Sequence, residues 1–144
     1  MTLVAGILKT KGSEVFSIPP EITVLEATHE LKLRRVGALL VCDEDRRIVG
    51  VLSERDIVRA LADKGPEILD QPVSSLMTRG VVTCRSDDSI DSVRQLMTGR
   101  RIRHVPVIDD GELKGIISIG DVVKHQIMAT EMEAEALKQY IATG

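Results

Sequence analysis

Hydrophobic positions along the chain switch between two periods. Val24, Ala27 and Leu31 recur at the three-and-four spacing of a helix face, and Ile90, Val93 and Met97 repeat it further on. Thr23 with Glu26 supplies a capping box at the first of these helices. The runs 38–42 and 104–108 are short, apolar and rich in β-formers, and they predict buried strands. Turn residues follow: an acidic stretch over 43–47, then the Asp110-Gly111 pair, a strong hairpin signal. Second strands are predicted at 48–52 and 113–117, and second helices from Ser53 and Ser118. An extended segment stands before each series, at 15–18 and 81–84. Between the series, Lys64-Gly65-Pro66-Glu67 and Asp70-Gln71-Pro72 read as a linker.

The two series are one sequence written twice. Asp43 and Asp109 are offset by 66 residues and Asp56 and Asp121 by 65, so a single residue is lost in the turn between the strands. Loops absorb such changes. The pattern predicts an α/β (α+β) protein of two βαββα units, one over 1–66 and one over 67–127, with a helical tail over 128–144. A unit this small cannot bury a sheet and its helices alone, so the two are expected to pack sheet to sheet about a pseudo-twofold axis, with symmetric clefts between them. In the tail, Ala134, Leu137 and Ile141 form one apolar stripe with Tyr140 beside it, which suits either packing on its own domain or a dimer contact.

Composition narrows the partners. Of 144 residues, 43% are hydrophobic and 1% aromatic, with Phe16 and Tyr140 the only aromatics, which argues against base-stacking platforms. A net charge of −3 gives no footprint for nucleic acid. The local cluster Arg100, Arg101, Arg103 and His104 suits a small anion better than a polyanion. Cys42 and Cys84 sit in apolar runs without a CxxC spacing and read as buried free thiols of a reducing compartment. Neither a signal core nor an apolar run near the ~20 residues of a membrane span is present, so a soluble cytoplasmic protein without membrane contact is expected.

Two segments carry the chemistry: Gly50-Val-Leu-Ser53-Glu-Arg-Asp56 and Gly115-Ile-Ile-Ser118-Ile-Gly-Asp121. In each, glycine opens a strand, serine marks the strand-to-helix junction, and aspartate follows in the first helical turn. Backbone N–H groups at a helix start, with a serine hydroxyl, favour phosphate oxygens. A nearby carboxylate can accept from both ribose hydroxyls. The glycine leaves room for a ligand or a neighbouring strand. Ser-x-x-Asp is also a helix cap in its own right, worth ~0.5–2 kcal/mol. Two copies at matching places in a repeat point beyond capping.

With these residues in view, the chain resembles a tandem pair of CBS domains, a Bateman module, from about Val4 to Ile127. The family's Gly-hydrophobic-hydrophobic-Ser/Thr-x-x-Asp hallmark is matched in both repeats, and His104-Val-Pro-Val-Ile-Asp109 is similar to the family's strand signature. The resemblance implies inter-repeat clefts that bind AMP, ADP or ATP, in some members NAD or S-adenosylmethionine. Asp56 and Asp121 would hold ribose, and Ser53 and Ser118 phosphate. Arg103 and His104 precede the second repeat's strand where members place basic phosphate contacts, whereas Gly37 and Ala38 stand there in the first repeat. Arg55 partly compensates, its counterpart being Gly120.

Catalytic patterns are missing. His29-Glu30 begins like a zincin motif but position 33 is leucine, and a nucleophile elbow around Ser118 would need glycine where Ile116 stands. The three histidines and two cysteines have no metal-ligand spacing. The expected protein is therefore an energy-sensing regulatory binder of adenine nucleotides rather than an enzyme, a homodimer acting through an effector protein. The competing expectation is a homodimeric scaffold with degenerate clefts.

Overall fold

The computed structural model describes residues 2–12 and 15–143. The chain divides into two compact units, one over 14–82 and the other made of 1–13 with 83–144.

The 14–82 unit runs β1 (Ser17–Ile18), α2 (Val24–Arg34), β2 (Ala38–Cys42), β3 (Ile48–Ser53) and α3 (Glu54–Lys64); α1 lies in the other unit. Its sheet has the order β1-β2-β3, with β1 parallel and β3 antiparallel to β2. Leu39 and Val41 on β2, Leu52 on β3 and Val24, Ala27 and Leu31 on α2 fill one core. Each such side chain contributes roughly 1.5–3 kcal/mol on burial. Thr23 caps α2 by accepting from the Glu26 amide at 3.1 Å, which is one half of the predicted box. The predicted linker residues 64–67 and 70–72 are exposed or half-buried, but the segment they belong to is anchored. Residues Pro66–Asp70 and Val73–Ser75 form short 3-10 turns, and Ile68 and Val73 are fully buried in the core. Two apolar side chains at that spacing cost more in water than the turns cost in backbone freedom, so the segment closes over its own unit.

The other unit runs α4 (Ile90–Arg100), β4 (His104–Asp109), β5 (Glu112–Ser118) and α5 (Ile119–Thr143), with α1 (Val4–Lys11) added from the N-terminus. Cys84 forms a single parallel bridge to Val107 where the first unit has β1. The repeat is visible in fine geometry. Arg35 and Arg101, at the ends of α2 and α4, both turn left-handed with φ 56°. The register slips between Val41 and Cys42 in one hairpin and between Val107 and Ile108 in the other. The lost residue lies in the turns. Asp110 and Gly111, with φ 51° and 80°, make the two-residue turn, whereas Asp43 Oδ1 ties the longer loop through the amides of Asp45 and Arg47, both at 2.9 Å.

Three boundaries differ from the sequence reading. Helix α1 packs Val4, Ile7 and Leu8 into the core of the second repeat, against Val93, Val105 and Ile117. Its first amides are capped by main-chain carbonyls there, Val4 N–H donating to Asp88 O and Ala5 N–H to Ser86 O, each at 2.9 Å. Residues 67–82 complete the first unit instead of opening the second. The tail is not a separate helix: α5 is continuous through 25 residues, about 37 Å. Leu137, Tyr140 and Ile141 are exposed, so the tail stripe does not pack on its own domain. Cys84 is buried as expected, but Cys42 only partly so; both are free thiols.

Candidate functional site

Both Ser/Asp segments fold into the same helix start. In the 14–82 unit the Ser53 amide donates to Asp56 Oδ2 at 3.0 Å, and the Asp56 amide donates to Ser53 Oγ at 3.2 Å. In the other unit the Ser118 amide donates to Asp121 Oδ2 at 2.9 Å, and the Asp121 amide to Ser118 Oγ at 3.1 Å. The first helical amides are taken too: Glu54 N–H donates to Gly37 O at 2.9 Å and Ile119 N–H to Arg103 O at 2.8 Å. The fold thus uses two of the first three N–H groups of each helix. What remains for a ligand is the second N–H of each helix, at Arg55 and Gly120, the serine O–H as donor, and the second carboxylate oxygen as acceptor.

Strand pairing gathers the other predicted residues around these starts. Ala38 lies opposite Ser53, and His104 opposite Ser118. The carbonyl bonds just described hold Gly37 and Arg103 beside their helices. One cluster is therefore Gly37, Ala38, Ser53, Arg55 and Asp56, with Arg55 exposed and Ala38 buried. The other is Arg103, His104, Ser118 and Asp121, with Arg103 exposed and the rest half-buried. The first has Gly37 and Ala38 at the start of its strand, with Arg55 on its helix, and the second has Arg103 and His104 at the start of its strand.

The glycines have a different purpose from the one that leaves room for a ligand. A Cβ on Gly50 would lie 2.6 Å from Met77 Sδ and 3.0 Å from the Thr78 carbonyl oxygen. On Gly115 it would lie 2.6 Å from Leu8 Cδ2. The chain itself fills both spaces. Val51 and Thr78 exchange two backbone bonds, at 3.1 and 2.9 Å, which brings that segment down onto Gly50.

One residue of this region escaped the sequence reading. Lys11, the last residue of α1, donates from Nζ to Asp121 Oδ2 at 2.7 Å and to the Ile116 carbonyl at 2.9 Å. Partial burial works to raise the Asp121 pKa, but the Lys11 ammonium and the Ser118 hydrogen bonds outweigh it and hold the carboxyl below its ordinary value of 3.8. Nothing in the local sequence announces a contact between residues 110 positions apart. Among the described residues Asp56 has no salt bridge, and no three His, Cys, Asp or Glu side chains gather as a metal site.

The CBS domain family profile matches residues 7–63 and 73–127. The 17.7 kDa protein of the bps2 3′ region of Acidianus ambivalens is 36% identical over 124 residues, covering 85% of this chain and 72% of that protein. The crystal structure of the CBS-domain containing protein ATU1752 from Agrobacterium tumefaciens is 43% identical, with a TM-score of 0.85 over 87% of this chain and 93% of that one. The CBS domain pair of protein MJ0100, in complex with 5′-methylthioadenosine and S-adenosyl-L-methionine, is 30% identical, with a TM-score of 0.75 over 85% of this chain and 98% of that one. Two helix starts of one design, each at the end of a hairpin of the same register, together with these matches, make the chain a CBS-domain pair and a member of the CBS domain family.

Proposed function

We propose that this CBS-domain pair is a regulatory binder of adenosine-containing ligands, with Asp56 and Asp121 as ribose acceptors and Ser53 and Ser118 as phosphate-side donors. The observation that carries the reading is the duplicated Ser/Asp helix start. Each cap uses Oδ2 for the backbone and leaves Oδ1 to accept from a vicinal diol. The ligands of the MJ0100 pair share adenosine and lack phosphate, which supports adenosine as the common recognised element. The cluster of Arg103 and His104 favours ligands that carry phosphate, AMP, ADP, ATP or NAD, and the Gly37 and Ala38 cluster tolerates adenosine derivatives without phosphate. Such a module acts in the cytoplasm by transmitting occupancy to an effector protein and needs no catalytic group of its own. No helix among the described residues is long and apolar enough to cross a membrane.

A thermal-shift panel of AMP, ADP, ATP, NAD, S-adenosylmethionine and adenosine tests the reading. A ligand at 100 times its dissociation constant should add ~2.7 kcal/mol of stability. No shift with any of them would remove it.

A second reading, assembly, rests on a separate observation. Along α5 the apolar side chains Val123, Ile127, Met128, Leu137 and Ile141 are all exposed, and the first three lie in or beside a groove that begins at Ile119. A homodimer that covers this stripe is compatible with ligand binding, and on its own it is the scaffold alternative.

A further inference from the structure

The two aspartates are equivalent by repeat but not by environment, and the difference is a single ammonium. Leu8 seats in the space that Gly115 leaves open, and this fixes the height of α1 over β5. Three residues on, Lys11 therefore reaches both the Ile116 carbonyl and Asp121. Both partners of the ion pair are less than a third exposed, at 32% for the Lys11 side chain and 22% for that of Asp121, so solvent screens it incompletely. Lys11 binds Oδ2, the same oxygen that accepts from the Ser118 amide. The carboxylate proposed to receive a ribose already carries an internal cation.

Building on the reading of Asp121 as a ribose acceptor, we propose that Lys11 is a specificity-determining residue that makes the Asp121 site select phosphorylated nucleosides over uncharged ones. A diol that hydrogen-bonds to Asp121 weakens the carboxylate's hold on Lys11. The ammonium, more weakly held on Oδ2 once the diol shares the carboxylate through Oδ1, then gains from another anion. A ligand phosphate beside Ser118 and Arg103 supplies one, whereas adenosine and its thioether or sulfonium derivatives supply none. The Asp56 site, without a counterpart of Lys11 among the described residues, has no such requirement.

The test uses the full chain carrying Asp56→Ala, so that one site remains, and measures adenosine and AMP by calorimetry with Lys11 or with Lys11→Met. Lys11→Met is expected to tighten adenosine binding about three- to tenfold, the range between a screened surface pair and a charge-assisted bond, and to reduce the preference for AMP by a similar factor. Adenosine binding that appears only after Lys11→Met supports the proposal equally. Unchanged or weaker adenosine affinity, with the AMP preference intact, overturns it. Lys11→Gln keeps a polar chain without the charge and must move both ligands in the same directions, which guards against a folding defect peculiar to methionine. If neither ligand binds the unaltered chain or the Asp121→Ala variant, the ribose reading itself fails; if they bind there and Lys11 has no effect, only the role of Lys11 fails.

Discussion

Replacing the two motif glycines by alanine separates a packing role from a ligand role. Each substitution gains roughly 0.4–1 kcal/mol by restricting the unfolded chain and by strand propensity. Against this stands overpacking, which costs typically ~1–3 kcal/mol when the neighbours cannot yield. At Gly50 the new methyl meets Met77 Sδ at 2.6 Å, Met77 Cγ at 2.8 Å and the Thr78 oxygen at 3.0 Å. That oxygen accepts from Val51 N–H at 3.1 Å, and Met77 is itself buried, so relief means shifting a bonded backbone segment. At Gly115 the near contact is 2.6 Å to Leu8 Cδ2, with Leu8 Cδ1 and Cγ at 3.6 Å, and a small χ2 rotation that swings this one side-chain end aside relieves it. Gly50→Ala is therefore expected to destabilise by about 1–2 kcal/mol, and Gly115→Ala by less than about 0.5 kcal/mol. In urea unfolding, with a slope of ~1–3 kcal/mol/M, Gly50→Ala should lower the midpoint by roughly 0.5–1 M and Gly115→Ala should barely move it. Equal losses at both sites would refute the distinction between fixed backbone and a mobile side chain. Full stability with lost nucleotide affinity would instead return the glycines to the ligand.

Asp121→Ala should cost about 1 kcal/mol more than Asp56→Ala in the same unfolding experiment, because it releases Lys11 as well as a cap. Since the folded pKa of Asp121 is depressed, that contribution is present above the ordinary value of 3.8 and fades as pH falls below it; an unchanged difference at low pH would refute the ion-pair origin. Arg103→Ala should weaken ATP more than adenosine, and added salt should shrink the difference; equal losses would assign Arg103 to the fold. Burial first, then Asp88 and Asp109, pushes the Cys84 thiol up to about 12, so thiol reagents at neutral pH should modify the half-buried Cys42 well before Cys84. The same shift makes stability fall as pH rises above the ordinary thiol value of 9.0, because only the unfolded thiol ionises there. Light scattering should give a dimer, and Leu137→Glu with Ile141→Glu should reduce it to a monomer with the helix content retained; a persisting dimer would place the contact elsewhere.

What the sequence disclosed was whatever is local or repeated. The turn at Asp110-Gly111 and the serine caps rest on interactions spanning four residues or fewer, the strand at 38–42 shows in its own run of β-formers, and the doubled pattern gives their order. What it concealed depends on distant contacts. Helix α1 has an ordinary apolar face, and contacts about 80–110 residues away, the carbonyls of Ser86 and Asp88, the core around Val105 and Ile117, and Asp121, decide which unit it joins. In the linker, Gly65, Pro66 and Pro72 mark turns and stay exposed or half-buried, and what they do not announce is that Ile68 and Val73, between and after them, tie the segment to the core.

The same division runs through the site. A local motif places a serine and an aspartate at each helix start, and by that measure the two repeats are alike. Their difference comes from outside the motif: Arg103 and His104 at the start of β4 and Lys11 at the end of α1, against Gly37 and Ala38 at the start of β2. A repeat duplicates the acceptor, but the charge around each acceptor comes from segments that the duplication does not constrain. If Lys11 acts as proposed, two carboxylates of matching cap geometry would prefer ligands of different charge, and a single chain would respond to the ratio of a phosphorylated nucleoside to an uncharged one rather than to the amount of either.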